Sequence, residues 1–204
     1  MVASSVIAGN TATSGGGWYQ SGGTLAMNNT VVELNGATDG AGGYYATGAF
    51  TNTGLSLLDN TASTSGGGLR ANNAMTLTSA IVLGNDATNG GGLYYGGAGG
   101  TLALTSTLVD QNVASGYGGG VYQAGGTLSC TGSTAGTYGF TTNTATTGGG
   151  GVYLPLTTSV FVTTLCDFGA TVGTNTSPSD VLYGTTAYNK NNDVTMICRT
   201  GTCR

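Results

Sequence analysis

The chain repeats itself. An apolar residue, two variable ones and an asparagine are followed four to six residues later by a glycine-rich run, and this pattern recurs about every 25 residues. The asparagines are Asn10, Asn35, Asn60, Asn85, Asn112 and Asn143, at spacings of 25, 25, 25, 27 and 31. Three residues before each stand Ile7, Val32, Leu57, Val82, Val109 and Phe140. A unit this short cannot enclose an apolar face by itself. It buries that face only by stacking on identical neighbours, so the period constrains the chain to a repeat architecture.

Composition decides between helical and β repeats. The 204 residues include 40 Gly, only 6% are charged, and the segments between turns are rich in Thr, Val and Tyr. Helical repeats need long stretches of Ala, Leu, Glu, Lys and Arg, whereas β-branched and aromatic residues suit strands. Alternation with a period of two appears in Thr24-Leu25-Ala26-Met27, Met75-Thr76-Leu77, Thr101-Leu102-Ala103-Leu104 and Thr127-Leu128-Ser129-Cys130. The expectation is an all-β parallel β-helix, or solenoid, of about six coils of about 25 residues, roughly 29 Å long at about 4.8 Å per coil.

Three inward stacks are expected on three walls. They are the Ile7 to Phe140 column, a column of Leu25, Phe50, Met75, Leu102 and Leu128, and the residues ending the glycine runs: Trp18, Tyr44, Leu69, Leu93, Val121 and Val152. The pleat then sends Tyr19, Tyr45, Arg70, Tyr94, Tyr122 and Tyr153 outward in one file. That file reads either as rings stacked for stability, with Arg70 as a cation-π partner, or as a contact strip for glycans or another protein. The recurring asparagines read as a corner ladder of amide hydrogen bonds. Losing one rung, as in Asn60→Ala, is expected to cost about 1–3 kcal/mol.

The repeat covers residues 1–154, and the chain starts in mid-coil, since Val2 to Gly9 aligns with Leu77 to Gly84. Residues 155–204 hold the two prolines and three of the four cysteines. They read as an atypical C-terminal cap, because an open solenoid end is an unpaired edge. The cysteines suggest two disulfides, Cys198 with Cys203 and Cys130 with Cys166, in an extracellular setting. A zinc site and buried free thiols are the alternatives.

Net charge is -4, with four Lys and Arg and no His, which argues against nucleic acid as a partner. No run of apolar residues is long enough to span a membrane. Asp59, Asp86 and Asp110 lie next to the asparagine corner and form the best carboxylate cluster available to a polysaccharide-cleaving enzyme. Without basic companions they read first as solvated charge. Thr24, Thr101 and Thr127 hint at an ice-binding wall but are interrupted by Ala49 and Ala74. Asn28-Asn29-Thr30 and Asn175-Thr176-Ser177 are potential N-glycosylation acceptors.

The alternation of Ile7-Ala8-Gly9-Asn10 and Phe140-Thr141-Thr142-Asn143 with Gly-Gly-Gly-(Leu/Val)-Tyr resembles the repeats of the polymorphic outer-membrane protein family over residues 1–153. There the motifs are Phe-x-x-Asn and Gly-Gly-Ala-(Ile/Leu/Val), on the passenger of an autotransporter. This chain departs in having Gly for Ala and aliphatic residues at most Phe positions. Cys166-Asp167-Phe168-Gly169 with Asn175, Pro178 and the closing Cys198 and Cys203 is similar to the terminal segment of large secreted bacterial right-handed parallel β-helix repeat proteins. The resemblance implies an exported β-helix more than it implies adhesion, and with the scattered carboxylates and the lack of His the whole sequence reads as an extracellular or cell-surface, non-enzymatic structural protein: a stalk, an adhesin shaft or a filament protomer. Its expected partners are further copies, an upstream part of the same protein, or glycans, and no cofactor or metal is expected. A polysaccharide-degrading enzyme and an ice- or glycan-binding module are the alternatives.

Overall fold

The computed structural model describes residues 1–132, 138–155, 159–164, 166, 175, 181–183, 186–188, 197–199 and 202–203. Among these every regular element is a strand. The strands form a parallel β-solenoid of about five turns. Successive coils pair in register, as in Val6-Ile7-Ala8 against Val31-Val32-Glu33 and then Ser56-Leu57-Leu58.

Each coil has four walls, not three. The first sheet runs through Val2–Ala3, Trp18–Asn28, Gly43–Thr53, Leu69–Ala71, Leu93–Tyr95, Val121–Gln123, Val152–Leu154, Val181–Tyr183 and Thr186–Tyr188. The second holds Met75–Thr78, Thr101–Thr105, Thr127–Thr131, Val160–Thr164, Ile197–Arg199 and Thr202–Cys203. The third stacks Val6–Ala8, Val31–Glu33, Ser56–Leu58, Ile81–Leu83, Leu108–Asp110 and Gly139–Thr141. The fourth stacks Thr11–Ser14, Gly36–Asp39, Thr61–Ser65, Asp86–Ala87, Val113–Ala114 and Thr144–Ala145. Its inward residue is alanine in every coil, from Ala12 through Ala37, Ala62, Ala87 and Ala114 to Ala145. So small a side chain gives no apolar beat in the sequence, which hid this wall.

The expected Ile7 to Phe140 and Leu25 to Leu128 columns lie in the interior, the second prolonged by Phe161. A parallel inward column runs through Met27, Asn52, Leu77, Leu104, Cys130 and Thr163. Asn52 is polar there for a reason. Where the second and third coils lack a ladder on the second wall, its side chain accepts from the Thr78 amide and donates to the Thr76 carbonyl, at 3.1 and 2.6 Å. A buried amide that satisfies both neighbours replaces the missing strand bonds.

Three corners per coil take the left-handed conformation, with φ between 45° and 68°. One holds Gly9, Leu34, Asp59, Gly84, Gln111 and Thr142, and a second holds Ser4, Asn29, Gly54, Ser79 and Ser106. Only the third is always glycine: Gly15, Gly40, Gly66, Gly90, Gly118 and Gly149. The difference is space. A Cβ on Gly9 would meet nothing within 4 Å, whereas one on Gly118 would lie 2.5 Å from the Val121 carbonyl oxygen. Left-handed backbone alone costs a non-glycine residue about 1–2 kcal/mol, which packing can offset, but overlap with backbone cannot be relieved so cheaply.

Val181–Tyr183 still pairs parallel with Val152–Leu154, whereas the strands that follow it pair antiparallel. Thr186–Tyr188 pairs antiparallel with Val181–Tyr183, and Ile197–Arg199 is antiparallel to both Val160–Thr164 and Thr202–Cys203.

Candidate functional site

The asparagines occupy one buried corner and bond in series. In each of six steps the backbone N–H and Nδ2 of one asparagine both donate to Oδ1 of the next, at 2.9–3.1 Å. From the second rung onward Nδ2 also reaches back to the preceding coil, to the carbonyls of Ile7, Val32, Leu57, Val82, Val109 and Phe140. Asn10 begins this series and is exposed, while the rungs from Asn35 onward are buried.

Asn175 is a seventh rung that the spacing did not reveal. It lies 32 residues past Asn143, outside the regular period, and is 1% exposed. Its Nδ2, the atom an N-linked glycan would need, donates to the Phe140 carbonyl at 2.9 Å. That rules out the glycosylation reading of Asn175. At the other acceptor motif, Thr30 is fully buried and its hydroxyl donates to the Asn28 carbonyl.

The outward aromatic file exists with one correction. Its members are Tyr19, Tyr44, Arg70, Tyr94, Tyr122 and Tyr153. Tyr45 points inward and is 2% exposed, so Tyr44 stands where Tyr45 was expected. The cause is Gly43, which holds the inward place taken by Trp18 and Leu69 in the adjacent coils. The Trp18 indole lies over it, with Cε2 only 2.1 Å from where a Gly43 Cβ would be, and stacks on Phe50 at 5.1 Å. Counting from the end of the glycine run therefore shifts the second coil by one residue, and one residue in a strand exchanges the two faces.

The rings of the file contact one another, some stacked and some edge-on. Tyr94 and Tyr122 stack at 5.0 Å with planes 11° apart, and Tyr153 stacks on Tyr117 at 4.3 Å. Tyr19 meets Tyr44 edge-on and Tyr122 meets Tyr153 at 62°. The Arg70 guanidinium lies between Tyr44 and Tyr94, 5.1 Å from each ring centre. Burial first, then the neighbouring phenols of Tyr94, Tyr153 and Tyr117, push the Tyr122 hydroxyl above its ordinary pKa. It remains a neutral hydrogen-bonding group at physiological pH.

Arg70 is anchored as well as stacked. It bonds Asp39 at 2.7 Å and Ser65 at 2.9 Å, and Ser65 donates a further short bond to Asp39. Burial works to raise the Asp39 pKa, but the Ser65 hydrogen bond and the Arg70 charge outweigh it and hold the group below 3.8. A carboxyl depressed in the fold stabilises it above the unfolded pKa, and this contribution disappears as pH falls through the folded value. Asp39→Asn should therefore destabilise the protein at neutral pH and flatten the fall of its thermal midpoint below about pH 4. An unchanged acid limb would show that the pair contributes nothing. Asp86 has the opposite sign: burial raises its pKa, so its charged form opposes folding.

The three carboxylates of the candidate cluster stand on different elements. Asp110 belongs to the third wall and Asp86 to the fourth, with Asp59 at the turn between them and closest to the Gly84 position of the next coil. Among the described residues no group of three or more His, Cys, Asp or Glu is placed to hold a metal ion. The column of Thr24, Thr101 and Thr127 is aligned and interrupted as expected, with Thr24 opposite Ala49 and Thr101 opposite Thr127, and a second hydroxyl column lies elsewhere. Thr13, Thr38, Ser63, Thr88, Ser115 and Thr146 follow one another on the fourth wall, but the companion column is interrupted by Gly36, Asp86 and Val113.

Cys130 and Cys166 are joined in a buried disulfide, with Cα atoms 6.1 Å apart and a separation of 36 in sequence. This excludes the zinc reading, since two of its four thiols are bonded to each other. Cys203 is also disulfide-bonded and lies opposite Cys198 across the antiparallel pair. The Cys198 side chain lies outside the described residues. Replacing Cys130 and Cys166 together with Ala should lower stability by about 2–4 kcal/mol, a loss read from urea unfolding. Among the described residues no helix is long and apolar enough to cross a membrane. Compared with known protein families, with curated proteins and with solved structures, the chain matches none.

Proposed function

We propose that the chain is a non-enzymatic structural module of the cell exterior, a β-solenoid shaft of the stalk or adhesin type. Its antiparallel C-terminal strands serve as the cap of the stack. The observation that carries this reading is the use made of the tyrosine file. Binding a sugar on an aromatic platform requires a free ring face. Here Tyr94 and Tyr122 stack face to face, Tyr153 stacks on Tyr117 and meets Tyr122 edge-on, and the Arg70 guanidinium lies over the Tyr44 and Tyr94 rings. The surface best suited to a ligand is thus committed to cohesion between coils. The interior disulfide agrees with an oxidising compartment. The likeness of the repeats to outer-membrane passenger motifs supports the same setting.

Two measurements on one preparation test this. Changing Tyr94 and Tyr122 together to Ser should lower stability by about 1–2 kcal/mol, the loss of two or more cross-strand pairs, and leave glycan-array binding unchanged. Hydrolase and lyase assays on acidic and neutral polysaccharides should be blank. Turnover that disappears in Asp59→Asn or Asp86→Asn would replace this reading with an enzyme. Glycan binding lost in the tyrosine variant without loss of stability would replace it with a binding module.

A further inference from the structure

One ring contact stands beside the tyrosine file rather than within it. Tyr117 precedes its glycine run, in the place that Asp39 and Ser65 hold in the second and third coils, where they anchor Arg70. In the fifth coil that place carries a ring, laid on Tyr153 of the sixth with 4.3 Å between centres and 20° between planes. It is the tightest ring pair among the described residues. The sixth coil has only glycine at 148–151, so its turn presents no side chain of its own beside Tyr117. Nearly parallel rings with centres 4.3 Å apart have carbon atoms in van der Waals contact, just beyond the roughly 3–3.5 Å of a near-attack geometry.

Electrostatics point to the same pair. The Arg70 guanidinium lies 5.1 Å from the Tyr44 and Tyr94 ring centres, and a positive charge there opposes the loss of an electron from either ring. Tyr94 and Tyr122 also stack, at 5.0 Å, but one member of that pair carries this charge. Among the described residues no cation lies over Tyr117, Tyr122 or Tyr153. Tyr117 and Tyr153 are half-buried and within reach of an oxidant in solution, unlike the inward Tyr45 and Tyr95.

We propose that Tyr117 and Tyr153 are an oxidative cross-link site, converted to dityrosine by hydrogen peroxide acting through a haem peroxidase. Each phenol gives up one electron and one proton. The two phenoxyl radicals join by a carbon–carbon bond ortho to their hydroxyls, and the two ortho hydrogens move to the oxygens as the rings regain aromaticity. Peroxide takes up the two electrons and two protons, its O–O bond breaks, and two molecules of water leave. The link fastens the fifth coil to the sixth on the outer surface, as the Asn112 to Asn143 rung does inside. The inference rests on the reading of the aromatic surface as cohesive and of its setting as oxidising, and adds a covalent bond to that cohesion.

The test treats the whole purified chain with a haem peroxidase and one equivalent of hydrogen peroxide. Dityrosine fluorescence should appear in the monomer band of a reducing gel, and peptide mapping should give a joined pair carrying Tyr117 and Tyr153 and lacking two hydrogens. Tyr153→Phe keeps the ring stack and should lose most of this fluorescence. Tyr19→Phe should lose none, although Tyr19, at 53%, is the most exposed tyrosine among the described residues. Fluorescence confined to covalent dimers and abolished by Tyr19→Phe would overturn the proposal, because coupling would then follow exposure and not stacking. A monomer link mapped to other tyrosines, or no dityrosine in the folded chain, would overturn it too. If Tyr153→Phe does not fold, the peptide map of the parent chain decides alone. None of these outcomes alters the glycan-array and turnover assays, so the two readings fail separately.

Discussion

Asn85→Ala should reduce the unfolding free energy by about 3–6 kcal/mol, more than the 1–3 kcal/mol of a single unsatisfied buried group. The reason is the number of groups that lose a partner. Asn85 Oδ1 accepts from both the Asn60 N–H and Asn60 Nδ2 at 3.0 Å, and its Nδ2 donates to the Leu57 carbonyl at 2.9 Å. All of them are shielded from water, so none can be rehydrated without opening the coil. The sequence alone suggested a rung worth one such group, because it showed that asparagines align but not that each also reaches back a full coil. Urea unfolding of Asn85→Ala beside Asn10→Ala gives the check. Asn10 is exposed at the end of the series, and its replacement should be nearly silent. Equal effects of the two would mean that burial does not set the worth of a rung.

The second large effect comes from the glycine column that faces the ladder. Gly42 has an ordinary backbone conformation, yet a Cβ there would lie 2.2 Å from the Gly68 carbonyl oxygen and 3.1 Å from Asn60 Nδ2. Both obstacles are fixed, one as backbone of the next coil and the other by its own hydrogen bonds. Gly42→Ala should cost about 4 kcal/mol or more, at the upper end for overpacking. Gly9→Ala, with open space around it, should cost only about 1–2 kcal/mol from its left-handed φ. A Gly42→Ala protein that melts like the parent would mean that the corner is looser than its geometry.

The period, the strand character and the asparagine ladder were legible because each leaves a large residue at a fixed interval. What escaped notice has physical causes. The fourth wall is built on the alanine column from Ala12 to Ala145, and the burial of Ala62, Ala87, Ala114 and Ala145 releases too little apolar surface to mark the sequence. Tyr45 was placed on the wrong face because glycine at 43 yields its space to Trp18, a trade between coils that no reading of one coil contains. Asn175 escaped because intervening sequence breaks the period while the geometry keeps the rung. Two of the three left-handed corners accept Ser, Asn, Asp, Leu, Gln or Thr as well as Gly, so glycine is invariant only at the corner where backbone leaves no space for a side chain. The carboxylates near the asparagine corner were legible as neighbours in sequence but not as occupants of different walls.

The stacking of the tyrosines likewise depended on coordinates. Their spacing predicted a file, but only ring orientation distinguishes a platform with free faces from a stack with occupied ones. That distinction moves the surface from recognition toward cohesion, and with it the proposed role from binding module to shaft.

The claim that the asparagines hold the coils together is tested most directly by hydrogen exchange at their side-chain amides, followed by nuclear magnetic resonance. The account predicts slow exchange at Asn60, Asn85, Asn112 and Asn143, whose Nδ2 groups are buried and doubly bonded, and fast exchange at Asn10. Rapid exchange at all of them, in a protein that still gives a β spectrum, would contradict it.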